Sequence, residues 1–324
     1  MKAAWYEKQG PPCEVLLVGE MPDPIPAAGE VRIRVAASGI NPGDTKKRDD
    51  AFGIGMAYPR VIPHSDGAGR VDQLGAGVPS EWMGRSVWCY GAQSYRPFGT
   101  AAEFTVVPVN QVARLPESVS MEQGACLGIP GITAHRAVHV AGPVNGRMVL
   151  VQGAAGSVGL CAVQLARRAG ARVIGTVRSS SDEATARNAG AHEVLLSDKE
   201  LTSRVRALAP GGIDHIVEVA FGANIEADVE LLMQGGSIAS YATDNAAPKI
   251  PFWQMIFKNI RTFFLGSDDF PKEAKLQATR DLNAALEAGW TGFEIGERIP
   301  LEDIAHAHEL AEHPARRGRV VVVL

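Results

Sequence analysis

The chain has 324 residues, against roughly 150 for one typical domain, so two domains are expected. Its 32 lysines and arginines and 36 aspartates and glutamates leave a net charge of −4, which argues against an electrostatic grip on nucleic acid or an anionic membrane. Hydrophobic residues at 46% and charged residues at 21% mark a folded globule, and the widely spaced Cys13, Cys89, Cys126 and Cys161 form no CxxC pair, disulfide framework or zinc knuckle.

The opening MKAAWYEKQG lacks the apolar core of a signal peptide, so a cytoplasmic protein is expected. Val31, Ile33 and Val35 alternate with Arg32 and Arg34, the period-two pattern of a strand buried on one face. Glycine and proline punctuate the chain from Gly10 to Gly131, in PDPIPAAGE, NPGD, YPRVIP and QLGAGVP, and predict short strands in a barrel-like or irregular β domain. Near residue 120 the pattern changes: ESVSMEQGACLG reads as a helix start capped by Ser118 or Ser120.

From Arg147 onward strand and helix signals alternate. MVLVQG is a strand, SVGLCAVQLARRAG a helix ended by Gly170, RVIGTV a strand, SDEATARNAG a helix ended by Gly190, and EVLL a short strand. KELTSRVRALAPGG is a helix closed by Pro210 and Gly211, IDHIVEVA a strand, ADVELLMQGG a helix and SIASYA a strand. This alternation predicts a parallel, doubly wound sheet with right-handed crossovers. The uncharged stretch from Met148 to Ala166 carries Gln152, Ser157, Gln164 and clustered glycines, a polar load that argues against a membrane span. KLQATRDLNAALEAG is a further amphipathic helix, and GRVVVVL is a closing strand expected to return to the first domain. The expected organisation is a discontinuous domain, 1–120 plus 267–324, with a dinucleotide-binding domain, 121–266, inserted into it.

The sharpest chemical motif is VLVQGAAGSVGLCAVQLA. Gly156 and Gly159 stand as the last two glycines of GxGxxG, with Ala154 in place of the first. The small residues let the backbone approach a pyrophosphate, and the helix start aims its N–H groups at it. A strand before the loop, a helix after it and a second strand on schedule give the motif its proper context. That second strand runs into Arg178, Ser179, Ser180 and Ser181, with no carboxylate before Asp182. An acidic residue there would take the ribose 2′-hydroxyl of NAD; an arginine among hydroxyls suits a 2′-phosphate, so NADPH is the expected cofactor.

The GAAGSVG loop, GINPGD (Gly39 to Asp44), PHSDGAG (Pro63 to Gly69), QGACLGIPGITAHRAV (Gln123 to Val138) and the closing AHELAEHPARRGRVVVVL together resemble the ζ-crystallin-like quinone oxidoreductases of the medium-chain dehydrogenase/reductase superfamily. The resemblance runs from Met1 to Leu324 and implies an α/β protein: a GroES-like, β-rich catalytic domain joined to a doubly wound Rossmann domain, with NADPH in the cleft between them. It implies metal-free transfer of reducing equivalents from NADPH to quinones. Carried over residue by residue, it implies cofactor contacts at Ala154, Ala155, Gly156, Ser157, Val158 and Gly159, at Arg178 and Ser179, at Asn224, at Ala242 and Thr243, and at Phe264 and Leu265. It also implies a homodimer, because the family's last Rossmann strand often pairs across a two-fold axis. Zinc-dependent relatives need a cysteine where this chain has Asn41 and a histidine where it has Ser65, with His64 in the place of a usual glycine. Cys126 alone cannot hold zinc, so no metal is expected.

For the acceptor, Asn41 is the candidate lining residue and Lys46, where relatives commonly place a tyrosine, the candidate donor. Structural alternatives are an Asx-type turn for Asn41 and a solvated charge in the run Lys46, Lys47, Arg48. Asp66 reads as a structural hydrogen-bonding residue. His135 and His139 read as helix surface, and His306 and His308 point to different faces. Phe252, Trp253, Phe257, Phe263 and Phe264 are either core or the border of a pocket and an edge strand. The functions kept open are a quinone reductase, an NADPH-dependent reductase of activated C=C bonds in enals, enones or acrylate-like acids, and an NADPH-binding protein without turnover.

Overall fold

The computed structural model describes residues 1–313 and 318–324; residues 314–317, within the C-terminal segment that carries part of the resemblance, lie outside the described residues. The chain divides into two compact units, Met1–Pro130 with Thr291–Leu324, and Gly131–Trp290. These divides fall later than the boundaries expected at 120 and 266. The long helix at Lys272–Glu287 packs within the second unit, where Leu282 would meet any Cβ placed on Gly131, at 2.5 Å.

The first unit carries β1 (Lys2–Trp5), α1 (Pro12–Val15), β2 (Leu17–Glu20), β3 (Glu30–Gly39), α2 (Pro42–Arg48), β4 (Asp66–Leu74), β5 (Ser86–Cys89), β6 (Phe104–Pro108), β7 (Val112–Arg114) and α3 (Met121–Gly124). At its other end stand β14 (Ile295–Pro300), α11 (Ile304–Glu312) and β15 (Arg319–Val323). A seven-stranded sheet runs β14-β15-β3-β4-β5-β7, with β6 also paired to β3, while β1 and β2 form a separate hairpin-like pair. The closing strand β15 pairs antiparallel with β3, Val321 opposite Gly39 and Val323 opposite Ala37. The alternation in β3 explains its face: Val31, Ile33 and Val35 are buried with Val71, Val87 and Val107. Arg32, on the other face, forks onto Asp72 at 3.0 and 2.9 Å and lies over the Phe104 ring. Ser120 caps α3, its side chain accepting from the Gln123 amide.

Helix α4 (Gly128–His139) is followed, in the second unit, by β8 (Met148–Val151), α5 (Ser157–Arg168), β9 (Arg172–Val177), α6 (Glu183–Asn188), β10 (Glu193–Leu196), α7 (Leu201–Leu208) and β11 (Ile213–Glu218). Then come α8 (Phe221–Leu231), β12 (Leu232–Ser240), α9 (Phe252–Phe257), β13 (Arg261–Phe264) and α10 (Lys272–Glu287). The sheet is wholly parallel in the order β10-β9-β8-β11-β12-β13, the doubly wound arrangement whose strand order reverses between β8 and β11. Leu150, Ile174, Ile213, Ile216 and Ile238 from its strands and Ile225 and Val229 from α8 form one buried cluster.

One helix boundary differs from the expectation. ADVELLMQGG is helical only to Leu231; Leu232 already pairs with Ile213, and Gly235 takes a φ of +74°. Adjacent glycines cannot sustain a helix, so the segment bends into β12. The same helix starts earlier than its apolar pattern suggests, at Phe221. Its first amides are capped from a distant segment: Gly222 N–H donates to Thr243 Oγ1 at 3.2 Å and Ala223 N–H to Asp244 Oδ1 at 2.9 Å. Among the described residues no helix is long and apolar enough to cross a membrane, and no disulfide joins any of the four cysteines.

Candidate cofactor and acceptor site

The C-terminal edge of the parallel sheet is built for a closely approaching anion. After β8 the chain turns at Gly153 (φ +68°), and Ala154 N–H ties the loop to β9 by donating to the Thr176 carbonyl at 2.8 Å. Gly156 is exposed and stands at the N-cap of α5, where no side chain caps the helix. Helix N–H groups and the positive end of the macrodipole therefore face outward, over half-buried Ala155, Ser157 and Val158. Gly159 is required by packing: a Cβ there would lie 2.2 Å from the Gly153 carbonyl oxygen. The loop and helix start fit a pyrophosphate.

Arg178 follows β9 directly and is exposed. Ser179 begins a short 3₁₀ turn, its Oγ accepting from Ser181 N–H at 3.3 Å and lying 2.8 Å from Ser181 Oγ. A guanidinium at the end of the second strand, without a carboxylate beside it in sequence, suits a 2′-phosphate.

The remaining predicted cofactor residues gather at the ends of β11, β12 and β13. Asn224 donates from Nδ2 to both oxygens of the buried Glu218, at 3.1 and 3.2 Å. The carbonyl of Ala242 accepts from Phe221 N–H, and Thr243 caps α8. Leu265 N–H donates to the Ser240 carbonyl at 2.9 Å, while Phe264 is largely exposed and meets the Phe221 ring edge-on at 5.1 Å.

In the first unit Asn41 is buried and committed at both amide ends. Nδ2 donates to Asp66 Oδ2 at 2.7 Å, and Oδ1 accepts from Arg319 Nη2 at 2.8 Å. Its backbone N–H donates to Asp44 Oδ2, which starts α2. Asp66 is fully buried, accepts also from Ile129 N–H at 2.8 Å, and burial pushes its carboxyl up to about 8. A Cβ on Gly128 would lie 2.1 Å from Asp66 Oδ1, so only glycine fits there. Lys46 is exposed, its Nζ 6.0 Å from the centre of the Phe52 ring.

The zinc of related dehydrogenases does not fit these residues. Asn41, Ser65 and Cys126 are the residues that the resemblance sets at its donor positions, and the Arg319 guanidinium is bonded to Asn41 and acts on the Cys126 thiol. A fixed cation among the donors repels a divalent ion, and burial pushes the thiol up, away from the thiolate that zinc needs.

The histidines correct one expectation. His135 is not helix surface: it is buried and its Nε2 lies 2.8 Å from Asp281 Oδ2, because α10 covers that face of α4. His306 is exposed while His308 is buried, as the two-residue spacing implies. Sequence reasoning missed the polar residues beneath the cofactor loops, Gln152, Thr176, Glu218 and Asp228, all buried. The signal was present at Asp228, a carboxylate in the apolar stripe of α8 between Ile225 and Leu231.

Comparison with known proteins agrees with this geometry. Residues 157–279 match the zinc-binding dehydrogenase family and residues 27–117 the alcohol dehydrogenase GroES-like domain. A quinone oxidoreductase of Mus musculus is 34% identical over 328 residues, covering 98% of this chain and 96% of its own. The native structure of a mycobacterial quinone oxidoreductase superposes with a TM-score of 0.88 at 27% identity, with full coverage of both chains. The quinone oxidoreductase of Thermus thermophilus, also solved as its complex with NADPH, gives a TM-score of 0.84 at 29% identity, again with full coverage of both.

Proposed function

Because this chain belongs to the quinone oxidoreductase family of the medium-chain dehydrogenases/reductases, we propose that it oxidises NADPH and reduces quinones, with no metal in the reaction. The observation that carries the reading is the pairing of an uncapped, glycine-lined helix start at α5 with Arg178 at the end of β9. The first would take the pyrophosphate and the second the 2′-phosphate. When bound, the reduced nicotinamide supplies a hydride from its C4.

The chain's own residues bind and orient. Ala154 to Gly159 hold the pyrophosphate, and Arg178 with Ser179 hold the adenosine phosphate. Asn224, fixed through Nδ2 by Glu218, has its carbonyl oxygen left to accept from the cofactor. Ala242, Thr243, Phe264 and Leu265 border the nicotinamide side. A quinone needs little activation, so positioning supplies most of the rate, with a donor for the developing oxyanion. Lys46 is that donor in this reading. Asn41 acts behind it, holding the start of α2 to Asp66 and Arg319.

The exposed Lys46 ammonium favours one second reading, reduction of an activated C=C bond in an acceptor bearing a carboxylate. Steady-state NADPH oxidation against quinones, enones and acrylates separates the two. Fast turnover with quinones supports the first reading, turnover confined to enones or acrylates supports the second, and binding of NADPH without turnover overturns both.

The reading includes a homodimer joined at β13. This strand is the sheet edge, and beside it Phe252, Trp253, Phe257 and Phe264 expose 53%, 64%, 72% and 71% of their surface, more apolar area than a lone edge strand ordinarily leaves uncovered. It also places the protein, whose cysteines form no disulfide among the described residues, in the cytoplasm.

A further inference from the structure

Two carboxyl groups lie in the interior of the second unit, directly beneath the loops assigned to the cofactor. Glu218, the last residue of β11, and Asp228, in the middle of α8, are both fully buried, and Asn224, one helical turn before Asp228 on the same face of α8, donates to both Glu218 oxygens. The hydrogen bonds around them fix where a proton must sit. Gly153 N–H donates to Thr176 Oγ1 at 3.1 Å, so the Thr176 hydroxyl donates onward to Gln152 Oε1 at 2.7 Å. That fixes the Gln152 amide with Nε2 turned to Asp228 Oδ1, at 2.9 Å. The other oxygen, Asp228 Oδ2, finds no donor among the described residues. Glu218 already accepts from Ala220 N–H and from Asn224 Nδ2.

Two ionised carboxylates cannot share a buried site of this kind. One proton between them satisfies every atom: it rides on Asp228 Oδ2 and is donated to Glu218. Tyr241, after β12, also acts on Glu218; it is not a cation and offsets no second negative charge. Burial and the neighbouring Glu218 both raise the Asp228 carboxyl, in the direction the geometry requires.

We infer that Asp228 and Glu218 share one proton at neutral pH, and that the shared proton positions the two backbone segments of the cofactor seat. These segments are the glycine loop, reached through Gln152, Thr176 and Gly153, and the turn after β11, reached through Ala220 and Asn224. One continuous run of hydrogen bonds joins them, and its central link is the O–H of Asp228. Loss of that proton to solvent leaves two adjacent carboxylates repelling each other and nothing holding Glu218 toward Asp228. The inference rests on the cofactor seat proposed above. Asp228 is a positioning residue here and touches no substrate.

The test uses the full chain at neutral pH, with NADPH titrated by fluorescence and the carboxyl region read by infrared difference spectroscopy between each variant and the wild type. Asp228→Asn keeps a donor toward Glu218 and an acceptor toward Gln152 without an ionisable proton. It should bind NADPH within about twofold of wild type and lose the band of a protonated buried carboxyl. Asp228→Ala should raise the NADPH Kd by about tenfold or more, with kcat changed much less, as about 1.4 kcal/mol of lost positioning would give. If Asp228→Ala does not fold, the infrared band and Asp228→Asn still decide. Absence of a protonated-carboxyl band from the difference between wild type and Asp228→Asn, or NADPH binding by Asp228→Asn as weak as by Asp228→Ala, overturns the inference. Failure of the wild type to bind NADPH at all sinks the cofactor reading instead and leaves the infrared result standing by itself.

Discussion

The Nε2 atoms of His64 and His308 lie 2.9 Å apart in the interior of the first unit, with the two rings stacked at a centroid distance of 5.0 Å. Only one of them can carry the proton. Arg48 Nη1, which can only donate, stands 3.4 Å from His308 Nδ1 and makes that atom an acceptor. His308 therefore donates from Nε2 to His64, and His64 Nδ1–H donates to Ser38 Oγ at 2.8 Å. Ser38 donates to Thr100 Oγ1 at 2.7 Å, and Thr100 to the Asp66 carbonyl at 2.7 Å. The chain of donors runs one way, from Arg48 at α2 to the strand that carries Asp66. His64 accepts a left-handed backbone, φ +75°, to take its place in it.

Burial pulls His64 down to about 3 and His308 well below the ordinary imidazole range. Both are lowered in the folded state, so the unfolded chain binds more protons once the pH drops below 6.5. The stability present above that pH should be lost progressively as the pH falls toward 3. We predict that the urea midpoint of the wild type falls steeply on acidification, and that His64→Gly combined with His308→Leu flattens the fall. Parallel acid profiles for the two proteins would mean that other groups, not this pair, drive the fall.

Asp66 titrates in the opposite sense. Its carboxyl is raised from 3.8 to about 8, chiefly by burial, so between those values the folded protein holds a proton that the unfolded chain has released. Stability contributed by this group is therefore present at low pH and lost as the pH rises toward 8. Asp66→Asn, which keeps an acceptor for Asn41 and Ile129, should remove that decline in denaturation curves taken across the window. A decline of unchanged slope in the variant would mean that another group titrates there.

Lys46 is exposed, so its contribution to acceptor binding is screened and modest. Lys46→Met is expected to raise KM for a carboxylate-bearing acceptor by about three- to fivefold, as about 1 kcal/mol or less would give, and with a neutral quinone to lower kcat while leaving KM unchanged. An equal rise of KM for both acceptors would assign Lys46 to the fold of α2 rather than to recognition.

The edge strand β13 and the rings beside it carry the dimer expectation. Trp253→Glu with Phe257→Glu places charges on that face without touching the buried cluster of the sheet. Sedimentation velocity should give a dimer for the wild type and a monomer for the variant. A monomeric wild type, or a variant that stays dimeric, would move the interface elsewhere or abolish it.

Much of the second unit was legible because its first elements are locally consistent: β9 is short and β-branched, and α5, α6 and α7 end just before Gly170, Gly190 and Pro210. The glycine loop was legible for the same reason, since close backbone approach leaves its mark in residue size. The start of α8 was not legible, because its caps, Thr243 and Asp244, lie some twenty residues downstream. The pairing of His64 with His308 spans 244 positions and has no local signature. Asn41 illustrates a mixed outcome: the Asx-like start of α2 could be read from Asn-Pro, whereas its bonds to Asp66 and Arg319 depend on the pairing of β3 with β4 and β15.

The measurement that most directly tests the central claim is kcat/KM for NADPH and for NADH, with a simple quinone as acceptor, in the wild type and in Arg178→Ala. The wild type should turn over and prefer NADPH. The variant should lose about 1–3 kcal/mol with NADPH, a decrease of roughly 5- to 150-fold, and change little with NADH. Equal losses with both cofactors would contradict the assignment of Arg178 to the 2′-phosphate, and no quinone-dependent oxidation by the wild type would contradict the function itself.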